Sequence, residues 1–508
     1  DIQAELLKTI GETYRNIAQF EKAEQVLRRA GDLYASFAKP TDREYVQCRL
    51  ALGMTLRAGT KQREAEQLAA EVIELAKGAT VVPEDLVSEL MLLRADALND
   101  LGKFDDAMPI ARACIDRFAD DPDRQADARL VLAAGLRRRG KLDEARNQYE
   151  QAITHFVFRS PEKDVGLGAA LNNLAVVLDQ QGNVAESEAM YRESLSIRRR
   201  LYDRAHPDVA VTLMNLGDNL TGQGRLVEAI PLLQESVDLH HQIYNGKHVG
   251  EAIAIDRLGM AHMRLGHLQE SEELLARSRE IIRAIRPPGH PDIITSLSNL
   301  SQLRRAQGRP AESESILREA LDLMDKAGNK SPFFLSPLAQ ALGDSLQRQD
   351  KHEEALAAFD QSIDACEKIS GNRPYNCAHV RCMRAASLIA LGRFDEAEVG
   401  LAALVESVVQ VRGATSGEAA NARNILARLY THRQRFEEAM TLLTATFDSV
   451  QTPDEVNTAR IQQRAAELAV ECLHAWNTSV PGSVPDATIR LWQARAESAP
   501  ADPTPTSK

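Results

Sequence analysis

Small residues recur along this chain at a constant interval, and no other feature restricts its fold so tightly. Gly11, Gly53, Ala95, Ala133, Ala175, Gly217, Gly259, Ser301, Gly343, Ala385 and Ala427 follow one another in steps of 42 residues, with a single step of 38 between Ala95 and Ala133. Twelve residues after each stands a second small residue: Ala23, Ala65, Ala107, Ala145, Ser187, Ala229, Ser271, Ser313, Ala355, Ala397 and Ala439. A small side chain lets two backbones approach where they cross, so the paired series predicts a hairpin of two closely packed elements, repeated eleven times.

The residues around the first anchor say that the elements are helices. An apolar residue stands one position before it (Leu52, Leu132, Leu174, Leu216, Leu258) and three after it (Leu56, Leu136, Leu178, Leu220, Leu346). These two positions are four apart and therefore share one helix face. Seven residues past the anchor comes Gly102, Gly140, Gly182, Gly224, Gly266, Gly308 or Gly392, where a left-handed conformation ends the first helix without strain. An acidic residue then opens the second helix (Glu64, Glu144, Glu186, Glu228, Glu312, Glu438, among others), where the helix dipole favours it. Scarce aromatic residues (5%) and abundant Ala, Leu, Glu and Arg also favour helix over sheet.

This pattern resembles the tetratricopeptide repeat in its longer, 42-residue form, known from kinesin light chain and many bacterial proteins. The likeness is most specific in Leu171-Asn172-Asn173-Leu174-Ala175 and in the linkers His206-Pro207-Asp208 and His290-Pro291-Asp292, where Pro suits a first helical turn and Asp its dipole. The resemblance implies an all-α fold, an α-solenoid of tetratricopeptide helix-turn-helix repeats wound as a right-handed superhelix. Eleven repeats are expected over residues 1–450. The rhythm weakens after Ala439, and residues 451–498 read as a degenerate C-terminal capping repeat carrying both tryptophans, Trp476 and Trp492. Residues 499–508, rich in Pro, Ala and Thr, read as a disordered tail.

Chemistry of its own is not expected of such a chain. No phosphate-binding glycine loop, His-Glu-x-x-His or Cys-x-x-Cys occurs, so no catalytic residue, metal or cofactor is assigned. His240 and His241 point to different sides of a helix, and His262, His352 and His432 stand alone. A net charge of -12 argues against general affinity for nucleic acid or anionic lipid, and no apolar run is long enough for this segment to insert in a membrane.

The expected partner is a protein or peptide held in a concave groove lined by the first helices of the repeats. Two residues before the anchor stand Asn173, Asn215 and Asn299; by resemblance to the kinesin light chain type, such residues hold a peptide main chain, and a side-chain amide can both donate and accept. Asp218 lies one turn along. Arg264, Arg305 and Arg348, from three successive repeats, are candidates to grip an acidic peptide, or else pair with neighbouring carboxylates.

Cys366 and Cys377 flank the turn Ser370-Gly371-Asn372-Arg373-Pro374, which either brings them together as a disulfide or leaves two small buried thiols. The chain opens inside a helical pattern, at Asp1-Ile2-Gln3-Ala4, and reads as a piece of something longer. Gln3-Ala4-Glu5-Leu6-Leu7 leading to Ile10-Gly11 and Tyr14, with Ala475-Trp476 near the close, is similar to the repeat region that follows the membrane helix of bacterial serine/threonine kinases. That resemblance implies a periplasmic sensor or scaffold region and would suit a disulfide. The alternative is a stand-alone cytosolic scaffold or regulator with reduced thiols.

Overall fold

A computed structural model describes the chain except residues 1, 78–81, 83, 160–164, 203–204, 247, 371–376, 450–455 and 498–508 and the side chains of 370 and 456–459. The expected disordered tail lies outside the described residues. The described residues form helices joined by turns, with no strand. They alternate between a first helix A and a second helix B: α1 (Ile2–Asn16) with α2 (Phe20–Phe37), α3 (Arg43–Ala58) with α4 (Gln62–Lys77), α5 (Glu84–Asp100) with α6 (Phe104–Arg117), α7 (Pro122–Arg138) with α8 (Leu142–Arg159). There follow α9 (Val165–Gln181) with α10 (Val184–Leu201), α11 (Pro207–Gly222) with α12 (Leu226–Tyr244), α13 (Val249–Leu265) with α14 (Leu268–Ile285), and α15 (Pro291–Ala306) with α16 (Pro310–Lys326). The last are α17 (Pro332–Gln347) with α18 (His352–Ser370), α19 (Ala378–Ala390) with α20 (Phe394–Arg412), α21 (Gly417–His432) with α22 (Phe436–Ser449), and α23 (Val456–Ser479) with α24 (Asp486–Glu497).

The anchors lie where A crosses B. A Cβ on Gly11 would come within 2.5 Å of Leu27 Cγ on α2, and one on Gly217 within 2.6 Å of Leu233 Cγ on α12. Ser187, the second anchor of its repeat, donates its hydroxyl to the carbonyl of the first, Ala175, at 2.9 Å. Every A helix of α1 to α21 ends in the same turn. The residue seven past the anchor has positive φ in all eleven, whether it is Gly (Gly102, φ 77°) or Ala18, Thr60, Asp350 or Gln434 (φ 58° to 67°). The next amide bonds back to the carbonyl three past the anchor, as in Lys61 N to Leu56 O (2.8 Å) and Arg225 N to Leu220 O (2.9 Å). This is the six-to-one bond of a Schellman motif, and it requires the left-handed residue.

Helix starts are capped from the linkers. In both His-Pro-Asp linkers the histidine is the N-cap, and His206 Nδ1 and His290 Nδ1 accept from the amides of Asp208 and Asp292 at 3.2 Å. The sequence pointed to Pro and Asp here. The ring of His206 completes the cap by stacking on Tyr202, centroids 3.5 Å apart.

One position carries the stacking of repeats. The residue five before the first anchor faces the B helix of the preceding repeat. Leu90 packs among Leu68, Val72 and Ile73 of α4, Ala170 against Ala152 and Phe156 of α8, and Ala422 against Leu404 and Val408 of α20, while Cys48 Sγ reaches Leu27 O of α2. From Cys48 to Ala422 this position is buried in all ten repeats. The backbones of neighbouring A helices come close to one another, as α9 does to α11 and α17 to α19, whereas successive B helices meet through long side chains such as Arg28 on Glu64 and Arg318 on Glu354. The chain divides into two compact units, Asp1–Ala261 and His262–Lys508, and within each the A helices are the crowded side.

At the end of the second unit α23 and α24 cover α21 and α22. Trp492 is buried edge-on to Phe447, and Trp476 stacks on Phe436.

Candidate functional site

The A-helix face is polar and mostly self-satisfied. Asn173 and Asn215, on α9 and α11, are brought together through Asn172: Asn215 Nδ2 donates to Asn172 Oδ1 (3.1 Å), and Asn172 Nδ2 donates to Asn173 Oδ1 (3.2 Å). The relay leaves Asn173 Nδ2 and Asn215 Oδ1 without a hydrogen bond to any described residue, both on half-buried side chains. Asn299, on α15, is half-buried and likewise has no partner among the described residues.

The charged candidates are paired. Asp218 lies 3.4 Å from Arg257, with both side chains about half exposed. Arg305 is 16% exposed, bonds the Ala341 carbonyl at 3.3 Å and meets Asp344 at 3.1 Å. Arg348 meets the same Asp344 at 3.1 Å from the solvent side. Arg264 is exposed. Thus Asp344 joins two of the three candidate arginines. Burial pushes the Arg305 pKa down against the pull of Asp344, which still leaves the guanidinium charged at any physiological pH.

Asp344 stands one residue past the anchor Gly343, and Asp96 and Asp218 occupy the equivalent place in their repeats. Each faces an arginine of a neighbouring repeat: Asp96 faces Arg57 at 2.5 Å, with Arg57 also on Asp100 at 2.9 Å. Sequence reasoning passed over this aspartate rung, although comparing repeats at one offset from the anchor finds it. It also passed over the residue one past the second anchor, where Glu24, Glu66, Glu188, Glu272, Glu314 and Glu398 reach basic groups of the following repeat.

His240 and His241 do not converge. His240 is buried, with Nδ1 2.9 Å from Ser236 O and its pKa pushed down by burial; His241 is exposed and meets the buried Glu251 at 2.8 Å. No group of three or more His, Cys, Asp or Glu among the described residues is arranged to hold a metal, and no described helix is long and apolar enough to cross a membrane. Cys366, near the end of α18, and Cys377, just before α19, have their sulfurs at bonding distance, with Cα atoms 6.2 Å apart. Cys48, Cys114, Cys382 and Cys472 are free and buried, and burial pushes the Cys48 and Cys114 thiols up to about 11 and that of Cys382 to about 12.

Models of the tetratricopeptide repeat match residues 166–242, 208–262 and 251–326, residues 92–162, 130–200 and 382–448, and residues 339–374. With about two thirds of its length matched in this way, the chain belongs to the tetratricopeptide repeat family. It carries the family's helical solenoid, the architecture of modules that mediate protein–protein interaction.

No curated protein matches the chain. Among solved structures, the apo form of the quorum sensor NprR from B. thuringiensis superposes with a TM-score of 0.51 at 11% identity, over 72% of this chain and 99% of that one. A protein described as a kinesin light chain of Podosopora anserina, with nearly identical TPR-like repeats, is 22% identical over 41% of this chain and 98% of its own (TM-score 0.36). BtubC (BKLC) from P. vanneervenii is 20% identical over 48% and 94% (TM-score 0.36). At these identities the likeness concerns the fold alone.

Proposed function

We propose that the chain binds an extended peptide segment of a partner protein along its A-helix face, with Asn173 and Asn215 on the peptide main chain. The observation that carries this reading is the unspent pair of amide groups at the two ends of the asparagine relay. One donor and one acceptor, on adjacent A helices, match the carbonyl and N–H that an extended peptide offers. Because Asn172 ties the two side chains together, their rotamers are held before a ligand arrives, which lowers the entropic cost of binding. Asn299 holds the equivalent place in its own repeat, within the second unit. The charged rung of Arg305, Asp344 and Arg348 offers an acidic side chain Arg348 in exchange for its contact with Asp344.

Co-purification from the native host followed by cross-link mapping tests the reading. Cross-links are expected on A helices around α9 and α11, and Asn173→Ala with Asn215→Ala should weaken capture about tenfold or more. Cross-links confined to B helices, or undiminished capture by the double variant, would overturn it.

For the setting, we favour the sensor or scaffold region of a bacterial serine/threonine kinase in an oxidising compartment. The closeness of Cys366 and Cys377 supports this, since disulfides persist outside the reducing cytosol. Mass analysis without reductant is expected to find these two thiols resistant to alkylation, and the gene upstream of Asp1 is expected to encode a kinase domain and a membrane helix. Reduced thiols and no such domain would leave the stand-alone cytosolic scaffold.

A further inference from the structure

The residue four past the first anchor reaches across to the next A helix, and it does so at the same two places along the chain. Arg57 on α3 meets Asp96, one past the following anchor, and Arg305 on α15 meets Asp344 at that same place and the carbonyl of Ala341, two before the anchor. Asn99 and Gln347 likewise donate to the carbonyls of Val131 and Met383, two before theirs. Arg15, whose facing residue is Met54, has Nη1 3.4 Å from the sulfur. An arginine at this position is thus aimed at two residues of the next A helix, and it is neutralised where the second of them is aspartate.

Arg137 lacks that aspartate. It stands four past Ala133 on α7, so the register aims it at Asn173 and Val176 of α9, which lies alongside. Valine supplies no charge. Arg137 is half-buried and makes no salt bridge among the described residues, and its Nε is shut off from water without a hydrogen bond. The carboxylates on the neighbouring rungs are already engaged: Asp96 by Arg57, Asp100 by Arg57 and Arg138, and Asp179 by Tyr191 Oη at 3.1 Å and Asn219 Nδ2 at 2.7 Å.

Beside Arg137 lies Tyr149 of α8, in the place that Tyr191 takes beside Asp179 one repeat on. Tyr149 is fully buried, its hydroxyl has no hydrogen-bond partner, and burial pushes its pKa up to about 12. It offers Arg137 a neutral group and no counter-charge. A half-buried guanidinium keeps its charge whatever its surroundings, so this is a point of the face where an incoming carboxylate gains a charge-assisted bond without displacing one.

We propose that Arg137 is a specificity-determining residue of the groove and that the bound peptide carries an acidic side chain to pair with it. The inference rests on the reading of Asn173 and Asn215 as the grip on the main chain, and it adds a side-chain preference with a position. Packed helices run about 8–10 Å apart and an extended chain advances about 3.3 Å per residue. The acid therefore falls about three residues from the one held at Asn173, on the side away from Asn215.

Selection of displayed random peptides of about twelve residues against the full chain reads this out. Acidic residues are expected to be enriched at one position among the binders. On Arg137→Gln and on Val176→Asp that enrichment should vanish, in the second case because a carboxylate on α9 neutralises Arg137 from within, as Asp96 does Arg57. For one selected peptide made synthetically, Asn in place of its acid should weaken binding to the parent chain about tenfold or more and make no difference in either variant. An Arg137 that only holds the fold together would weaken the acidic and the neutral peptide alike, and that result, or an acidic preference that survives both variants, overturns the proposal. Asn173→Ala with Asn215→Ala separates the two claims. Binders that need this pair but prefer no acid refute the role of Arg137 and keep the grip, whereas no binders, or binders indifferent to the pair, remove both. Arg137 and Val176 are half-buried, so unchanged melting temperatures certify the folds, and Arg137→Gln decides alone should Val176→Asp not fold.

Discussion

The turn that ends each A helix shows how a single residue can be out of step with its place. Glycine takes the left-handed conformation at seven of the eleven turns, and Ala18, Thr60, Asp350 and Gln434 take it at the other four. A Cβ in that conformation costs about 1–2 kcal/mol, and a β-branched side chain suffers most. Thr60→Gly, at φ 67°, is therefore expected to stabilise the chain by about 1 kcal/mol, read as a higher midpoint in urea with an unchanged slope. The anchor glycines behave in the opposite way. Gly217→Ala gains about 1 kcal/mol of helix propensity, but its methyl would sit 2.6 Å from Leu233 Cγ with Ala229 O at 3.4 Å, and relieving that crowding costs about 1–3 kcal/mol. Loss of stability is expected. At Gly400, exposed on α20 with nothing within 4 Å, the same substitution should stabilise by about 0.5–1 kcal/mol. The anchors were legible in the sequence because only small residues fit there. The four non-glycine turns were not, because nothing in Ala18 or Gln434 alone announces a positive φ; only their distance from the anchor does.

At the scale of the helix, what the sequence displayed was its backbone logic and what it concealed was its pairing. The acidic residue early in the B helices, which only Lys22 replaces, suits the dipole, and the structure adds a partner: Glu228 is held by Arg225 at 2.7 Å, and Glu64 by Arg28 of the preceding B helix at 2.7 Å. The asparagine and arginine candidates recur at near-constant offsets and are legible for that reason, whereas Asn172 and Asp344, which organise them, stand at other offsets from the anchor. The closing helices show what packing does at an end. α24 is only 12 residues long, so it holds its place by burying Trp492 against Phe447 and has little helical stability of its own. Trp492→Ala should cost about 3–5 kcal/mol. In a stacked array that loss is felt by the last hairpin first, so amide protection should fall in α23 and α24 while α17 and α18 keep theirs. Uniform loss of protection in all four helices would show that the second unit unfolds as a single block.

Across the whole molecule the repeats are tied by carboxylates one residue past the second anchor, and these give the chain a predictable response to acid. Burial works to raise the pKa of Glu24, Glu188 and Glu314, but hydrogen bonds from Lys61 and Arg28, from Gln223 and Arg225, and from Lys351, Gln349 and Arg318 outweigh it, and all three end below the ordinary value near 4.5. In Glu272 the bonds from Arg304 and Gln307 dominate from the start, with the same result. A carboxylate whose pKa is lower folded than unfolded is protonated first in the unfolded chain, so its contribution is complete above about pH 4.5 and is withdrawn as the pH falls through the folded value. The melting temperature should therefore drop steeply below about pH 4.5. Replacing Glu188 and Glu314 by Gln isolates the cause, because Gln keeps the shape and loses the charge. At pH 7 the double variant should melt lower than the parent, with each lost charge-assisted bond set worth about 1–3 kcal/mol. As the pH falls below about 4.5 and through their lowered folded values, the parent's own carboxylates become neutral, and the gap between the two curves should narrow. A gap of undiminished size at pH 3 would mean that the glutamates act through packing alone, and the acid limb would then have to come from other carboxylates of this strongly acidic chain.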